Sequence, residues 1–301
     1  MLLILSFLAL CSGCGGLTSQ NDDTFEIVTT ESDDPTAESD EEPAIVEQDD
    51  EHYIIRTDWM TFYFSKADYT EAEAAAVTDE AVSVMADVRD FLGIEYSLSD
   101  AKGTTCLFDS AYINDNGDPF SMCFSALKEM YCITTEKFVH EYVHMVCGRS
   151  PDVLYSPEKI FVEGLAQYVE VSFYDSIASE KYEYFTEALV EEDIDPTEHR
   201  AVCKLLTKNG LEYNAQNYNK SLIAYADRQF DDFCGRINRE SDLYLYDVGQ
   251  VLVEYCVTVL GGVQEFMRVY GDSVTVSDVF GKSLDAVVRD AVKNNTDSFY
   301  G

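Results

Sequence analysis

Positive charge, histidine and long hydrophobic runs are all scarce in this chain of 301 residues, which carries 20 Lys and Arg against 57 Asp and Glu and only four His. A formal net charge of −37 repels a phosphate backbone, so no nucleic-acid partner is expected. No apolar run approaches the roughly 20 residues a bilayer-spanning helix needs. Between Tyr53 and Gly301 there is no C-x-x-C pair, which removes support for a structural zinc cluster or thioredoxin-type chemistry. The seven cysteines of that region, Cys106, Cys123, Cys132, Cys147, Cys203, Cys234 and Cys256, are odd in number. In an exported protein at least one would stay free or pair between chains.

Two of the four histidines fall in His140-Glu141-Tyr142-Val143-His144, an H-E-x-x-H sequence. On a helix, residues four apart project from one face a turn apart, so His140 and His144 can share a metal ion. Glu141 lies about 100° around the helix from His140 and borders the same face. Zinc takes neutral imidazole ligands, and a catalytic site keeps one position open for water. A carboxylate beside that water can take its proton, which makes Glu141 the candidate general base. Phe138, Val139, Tyr142, Val143, Met145 and Val146 supply apolar wrapping, and Gly148 is expected to end the helix. Cys147, three residues past His144, is a conceivable soft ligand but at that offset reads as buried packing.

A second helix is expected after Ser156-Pro157, with Ser156 as cap and Pro157 at the first helical position. It carries Phe161-Val162-Glu163-Gly164-Leu165-Ala166-Gln167-Tyr168. Glu163 lies among apolar residues, where a carboxylate needs a partner to offset desolvation, and a metal ion would be one.

With H-E-x-x-H followed at this spacing by Glu163, the chain resembles the gluzincin metallopeptidases, of the aminopeptidase N type. Its Gly148-Arg149 and Glu163-Gly164-Leu165-Ala166-Gln167-Tyr168 segments are similar to collagenase-type catalytic cores, and both resemblances point to the peptidase MA-like superfamily. They imply a zinc ion held by His140, His144 and Glu163. Tyr246-Asp247-Val248-Gly249 is similar to the Tyr-Glu-Lys-Gly helix of the aminopeptidase N family, which implies that Tyr246 donates to the oxyanion, with Tyr244 as the fallback. Gln167 stands where related cores often carry an acidic residue that orients a histidine; a plain helix-surface residue is the alternative. The chain also departs from the family. No Gly-x-Met-Glu-Asn segment, which grips a free amino end in aminopeptidases, occurs between Thr104 and Thr134. Val248 replaces the lysine, and Phe161 or Ile160 the usual tryptophan. An endopeptidase is therefore expected.

Strands are expected at Tyr53–Arg56, Met60–Phe64 and Thr104–Phe108, which are β-branched and aromatic. A helix is expected over Ala72–Phe91, whose apolar residues recur at three and four. Asn114–Pro119 reads as an exposed turn; it lacks the ligands of a calcium loop. The fold class is α+β, a small mixed N-terminal sheet lobe and a mainly helical C-terminal lobe. The family resemblance implies a zinc site between the lobes, in a thermolysin-like arrangement.

Residues 2–10 are a short apolar run that suits a secretory h-region, although its basic n-region is absent. Ser12-Gly13-Cys14 resembles a bacterial lipoprotein signal, which implies a lipid on Cys14; plain secretion is the alternative. Leu17 to His52 holds fourteen Asp and Glu and no Lys or Arg, so it reads as a disordered acidic tether. Without those fourteen, net charge falls to about −23, still strongly acidic. The expected organisation is a signal and lipobox at 1–16, a tether at 17–52 and a metallopeptidase domain at 53–301. The expected activity is hydrolysis of peptide bonds in a peptide or protein substrate at the cell surface. A catalytically idle binding lipoprotein of the same fold, or one whose tether matters most, is the rival.

Overall fold

Six strands, with two helices between the third and the fourth, precede a run of helices among the described residues. The computed structural model describes residues 46–113, 119–149, 158–173, 196–212, 215–228, 239–240, 243–271 and 274–300. The strands are β1 (Val46–Gln48), β2 (His52–Arg56), β3 (Met60–Ser65), β4 (Thr104–Phe108), β5 (Met122–Phe124) and β6 (Glu129–Cys132). Their order is β1-β2-β3-β4-β6-β5. β1, β2 and β3 pair antiparallel, β3, β4 and β6 pair parallel, and β5 closes the edge antiparallel to β6. The expected strands at Tyr53, Met60 and Thr104 are present. Val46–Gln48, within the segment expected to be a tether, forms a strand that pairs with Tyr53–Ile55 across a tight turn in which Asp49 accepts from the backbone of Glu51 and His52.

A parallel pair needs a crossover, and α1 (Glu71–Leu92) supplies it between β3 and β4. Thr70 and Glu73 form a reciprocal capping box at its start, and Gly93, at φ 62°, ends it in the left-handed region that glycine tolerates. Ala74, Thr78, Ala81, Met85, Val88 and Leu92 recur at four and three and bury one face. On the sheet, Ile55, Met60, Phe62, Phe64, Cys106, Phe108, Met130 and Cys132 point to that same side and are buried. Phe64 stacks on Phe108 at 4.8 Å, and Phe138 of the next helix closes on Phe62 at 6.0 Å.

Among the described residues the other helices are α2 (Leu98–Ala101), α3 (Lys137–Arg149), α4 (Lys159–Phe173), α5 (Pro196–Lys208), α6 (Ala215–Arg228), α7 (Gly249–Tyr255), α8 (Val263–Gly271), α9 (Val276–Phe280) and α10 (Leu284–Tyr300). π-helical turns at Leu243–Val248 and Cys256–Leu260 flank α7. α3 lies over the sheet, with nine of its residues buried. Contrary to expectation, Gly148 does not end α3, which continues through Arg149. A Cβ there would come within 2.4 Å of Ser125 Oγ, so the glycine is required by the close passage of the β5–β6 turn. Gly164 and Gly249 meet in the same way. A Cβ on Gly164 would lie 2.5 Å from the Gly249 carbonyl carbon, and one on Gly249 would lie 2.8 Å from Ile160 O. α4 and α7 therefore cross in backbone contact. No helix among the described residues is long and apolar enough to cross a membrane.

Candidate metal centre

α3 follows directly from β6, so the sheet fixes where its first turns stand. His140 and His144 share one face of α3, and Glu163 reaches them from α4. His144 Nε2 is 3.2 Å from His140 Nε2, while Glu163 Oε2 is 3.3 Å from His144 Nε2 and 3.5 Å from His140 Nε2. A tetrahedral zinc ion at about 2.0–2.2 Å from each ligand holds those ligands about 3.3–3.6 Å apart, so the triangle fits the ion. Among the described residues this is the one group of three His, Cys, Asp or Glu whose ligand atoms all lie within 4.8 Å. Glu163 Oε2 is buried with no hydrogen-bond partner. Its distances to both imidazoles are too long for strong hydrogen bonds yet suit a shared ion, and leaving it without a partner would be costly.

Electrostatics agree with an anion held between two imidazoles. Burial alone would raise the Glu163 carboxyl, but His140 and His144 outweigh it and hold it well below the ordinary carboxylate range. Burial would lower His140, but Glu163 and Glu170 outweigh it and raise the imidazole to about 9. Glu141, 5 % exposed, is raised above the ordinary glutamate value because burial exceeds the pull of His140, His144 and Lys137. A carboxyl shifted this way is a better proton carrier near neutrality. The side chains of His144 and Glu163 are 17 % and 23 % exposed, that of His140 5 %. The centre thus opens on one side and is walled on the other.

The wall contains a residue that local sequence did not single out. Glu170, wholly buried on α4, accepts from His140 Nδ1 at 3.1 Å through Oε2 and from Lys137 Nζ at 2.8 Å through Oε1. It takes the orienting part expected of Gln167, which is half-buried and has no hydrogen bond to either histidine. The spacing does contain a signal, since Glu170 lies seven residues after Glu163 and therefore within about 20° of the same helix face. Donation from Nδ1 leaves Nε2 of His140 turned to the ligand position.

Tyr246 sits in the π-helical turn before α7, its ring stacked on His140 at 5.7 Å and 25°. Tyr244 is buried and faces Arg239 instead. The Gly164–Gly249 crossing accounts for this placement, since Glu163 precedes one glycine and Tyr246 lies a turn before the other. Phe161 packs edge-on against Phe266 at 5.8 Å, away from the triad. Cys147 is buried against Tyr270, its thiol raised to about 12 by burial, and is not a ligand. Cys106, Cys123, Cys132, Cys147 and Cys256 are in no disulfide. Ser156, Pro157, Cys234 and Asn114 to Asp118, like Cys14 and the rest of 1–45, lie outside the described residues. Compared with known proteins, the chain matches no protein-family model, no curated protein and no solved structure.

Proposed function

We propose that this protein is a zinc-dependent peptidase of the gluzincin type that cuts within peptide chains, exported and anchored by a lipid on Cys14. The carrying observation is the triangle of His140, His144 and Glu163 ligand atoms, whose Glu163 corner is a buried oxygen with no hydrogen bond, and Glu141 beside it. The thermolysin-like arrangement is supported by the placement of α3 on the sheet and α4 behind it.

When bound, zinc supplies Lewis acidity, polarising a carbonyl and bringing the pKa of a coordinated water to about 7. His140, His144 and Glu163 hold it, and Glu170 fixes the ring of His140. Glu141 accepts the proton of the attacking water at its carboxylate and passes it to the leaving amine. Tyr246 donates its hydroxyl to the oxygen on which charge develops, an effect worth about 2.7–4 kcal/mol for one donor.

A peptide substrate is favoured by the position of β5. It is one of the two outer strands of the sheet and packs against α3. Cys123 on β5 is near enough to Glu141 for the carboxylate, after burial, to raise its thiol. An extended chain added to the edge of β5 that pairs with no described strand would run beside the base, with main-chain hydrogen bonds giving affinity irrespective of sequence. The test is mass-spectrometric mapping of cuts in a broad peptide library, with Glu141→Gln as the control. Internal cuts that require Glu141 are expected. Cuts confined to peptide ends would replace the endopeptidase reading with an exopeptidase one, and no cuts by zinc-loaded protein would overturn peptidase activity.

A further inference from the structure

We propose that Lys137 is a positioning residue for the metal centre, acting on His140 through Glu170. This rests on the metal-centre reading above. Lys137 and His140 lie three residues apart on α3 and grip the two oxygens of a single carboxylate, Lys137 Nζ at 2.8 Å from Oε1 and His140 Nδ1 at 3.1 Å from Oε2. That carboxylate belongs to α4, the helix that also carries Glu163. The two contacts therefore fix the rotation of α4 against α3 and the orientation of the His140 ring together.

Glu170 is wholly buried, so both of its oxygens need partners within the protein. Lys137, with a side chain 22 % exposed, brings its ammonium to Oε1. Its location opposes local preference. Lys137 is the first residue of α3, and no acidic residue occupies the first turn, whereas the positive end of a helix dipole disfavours a cation there. The contact with Glu170 offsets that preference. With Oε1 held by Lys137, Oε2 of Glu170 is presented to Nδ1, and Nε2 of His140 is directed at the ligand position.

The test is zinc affinity of the full-length protein, by competition with a chelating indicator, for wild type, Lys137→Met and Lys137→Arg. The thermal midpoint of each metal-free protein is recorded alongside. Lys137→Met is expected to weaken zinc binding by roughly 10–100-fold, the range for loss of a group that orients a ligand. Lys137→Arg, which restores charge and donors, should recover most of it. If Lys137→Met lowers the metal-free midpoint but binds zinc as wild type does, Lys137 is only structural and the proposal fails. Zinc binding absent from wild type would instead overturn the metal centre itself. Should Lys137→Met not fold, Lys137→Gln, which keeps a donor for Oε1 without the charge, takes its place: weakened zinc binding supports the proposal, and wild-type binding overturns it.

Discussion

Replacing Gly249 by alanine isolates the helix crossing that sets Tyr246 against His140. The new methyl would lie 2.8 Å from Ile160 O, 2.9 Å from Gly164 Cα and 3.2 Å from Gly164 N. All three neighbours are backbone atoms, so no side chain can swing away. Ordinary contact begins near 3.4 Å, and α7 must retreat from α4 by about 0.6 Å. Overpacking of this kind costs up to about 3 kcal/mol, while alanine gains about 1 kcal/mol over glycine in a helix. The expected net loss is about 2 kcal/mol, or about 4–8 °C in Tm for a domain of this size. Tyr246 rides with α7, whereas the three ligands are on α3 and α4. Since a displacement near 1 Å at a reacting centre costs about a hundredfold, kcat should fall by about tenfold with zinc content unchanged. Differential scanning calorimetry, metal analysis and turnover of one internally cleaved peptide check this together. A variant with wild-type Tm and kcat would refute the backbone contact, and one that lost zinc would refute the separation of Tyr246 from the ligand set.

Glu141→Gln should keep its zinc and lower kcat by about 10²–10⁴, the range for a general base. It should also stabilise the metal-free protein at pH 7. Burial raises the folded-state pKa of Glu141 above its ordinary 4.5, so its contribution to stability is full below about 4.5 and is lost as pH rises through the folded value. The gain of the variant over wild type, read by thermal melts, should vanish at low pH; a gain independent of pH would contradict the assignment. Tyr246→Phe should reduce kcat by about 10²–10³ with KM little changed, whereas Tyr244→Phe should leave kcat near wild type. Arg89→Ala removes a bond to buried Tyr142 Oη at 2.8 Å and the guanidinium 3.9 Å above the Trp59 ring. A loss of about 1–3 kcal/mol in chemical denaturation is expected, with zinc affinity retained.

The triad is legible in the sequence because each of its members carries a local signal. Two imidazoles at helical spacing and one carboxylate in an apolar helix define a face before any fold is known. The long strands and α1 are equally visible, through alternation, alanine content and the spacing of buried residues. β1, β5 and β6 are not. They are three or four residues long, include Glu47, Gln48 and Glu129, and owe their conformation to pairing with neighbours rather than to their own composition. Gly148 carries an ambiguous signal, since a glycine near a helix end serves equally as a cap or as room for a neighbour, and only the position of Ser125 decides. The preference for Gln167 over Glu170 has a different origin. It follows family analogy one turn past Glu163, where the helix period itself brings Glu170 back to the face of the triad after two turns. Lys137 cannot be assigned from sequence, because its partner lies on another helix 33 residues away.

The central claim is that His140, His144 and Glu163 form a single zinc site. Metal content per chain after equilibration with zinc and dialysis, by inductively coupled plasma mass spectrometry, addresses it most directly for wild type beside His144→Ala. The account predicts about one zinc per wild-type chain and almost none in the variant, the expectation for a site with three protein ligands. A wild-type chain that retained no zinc, or a variant that retained as much, would contradict it.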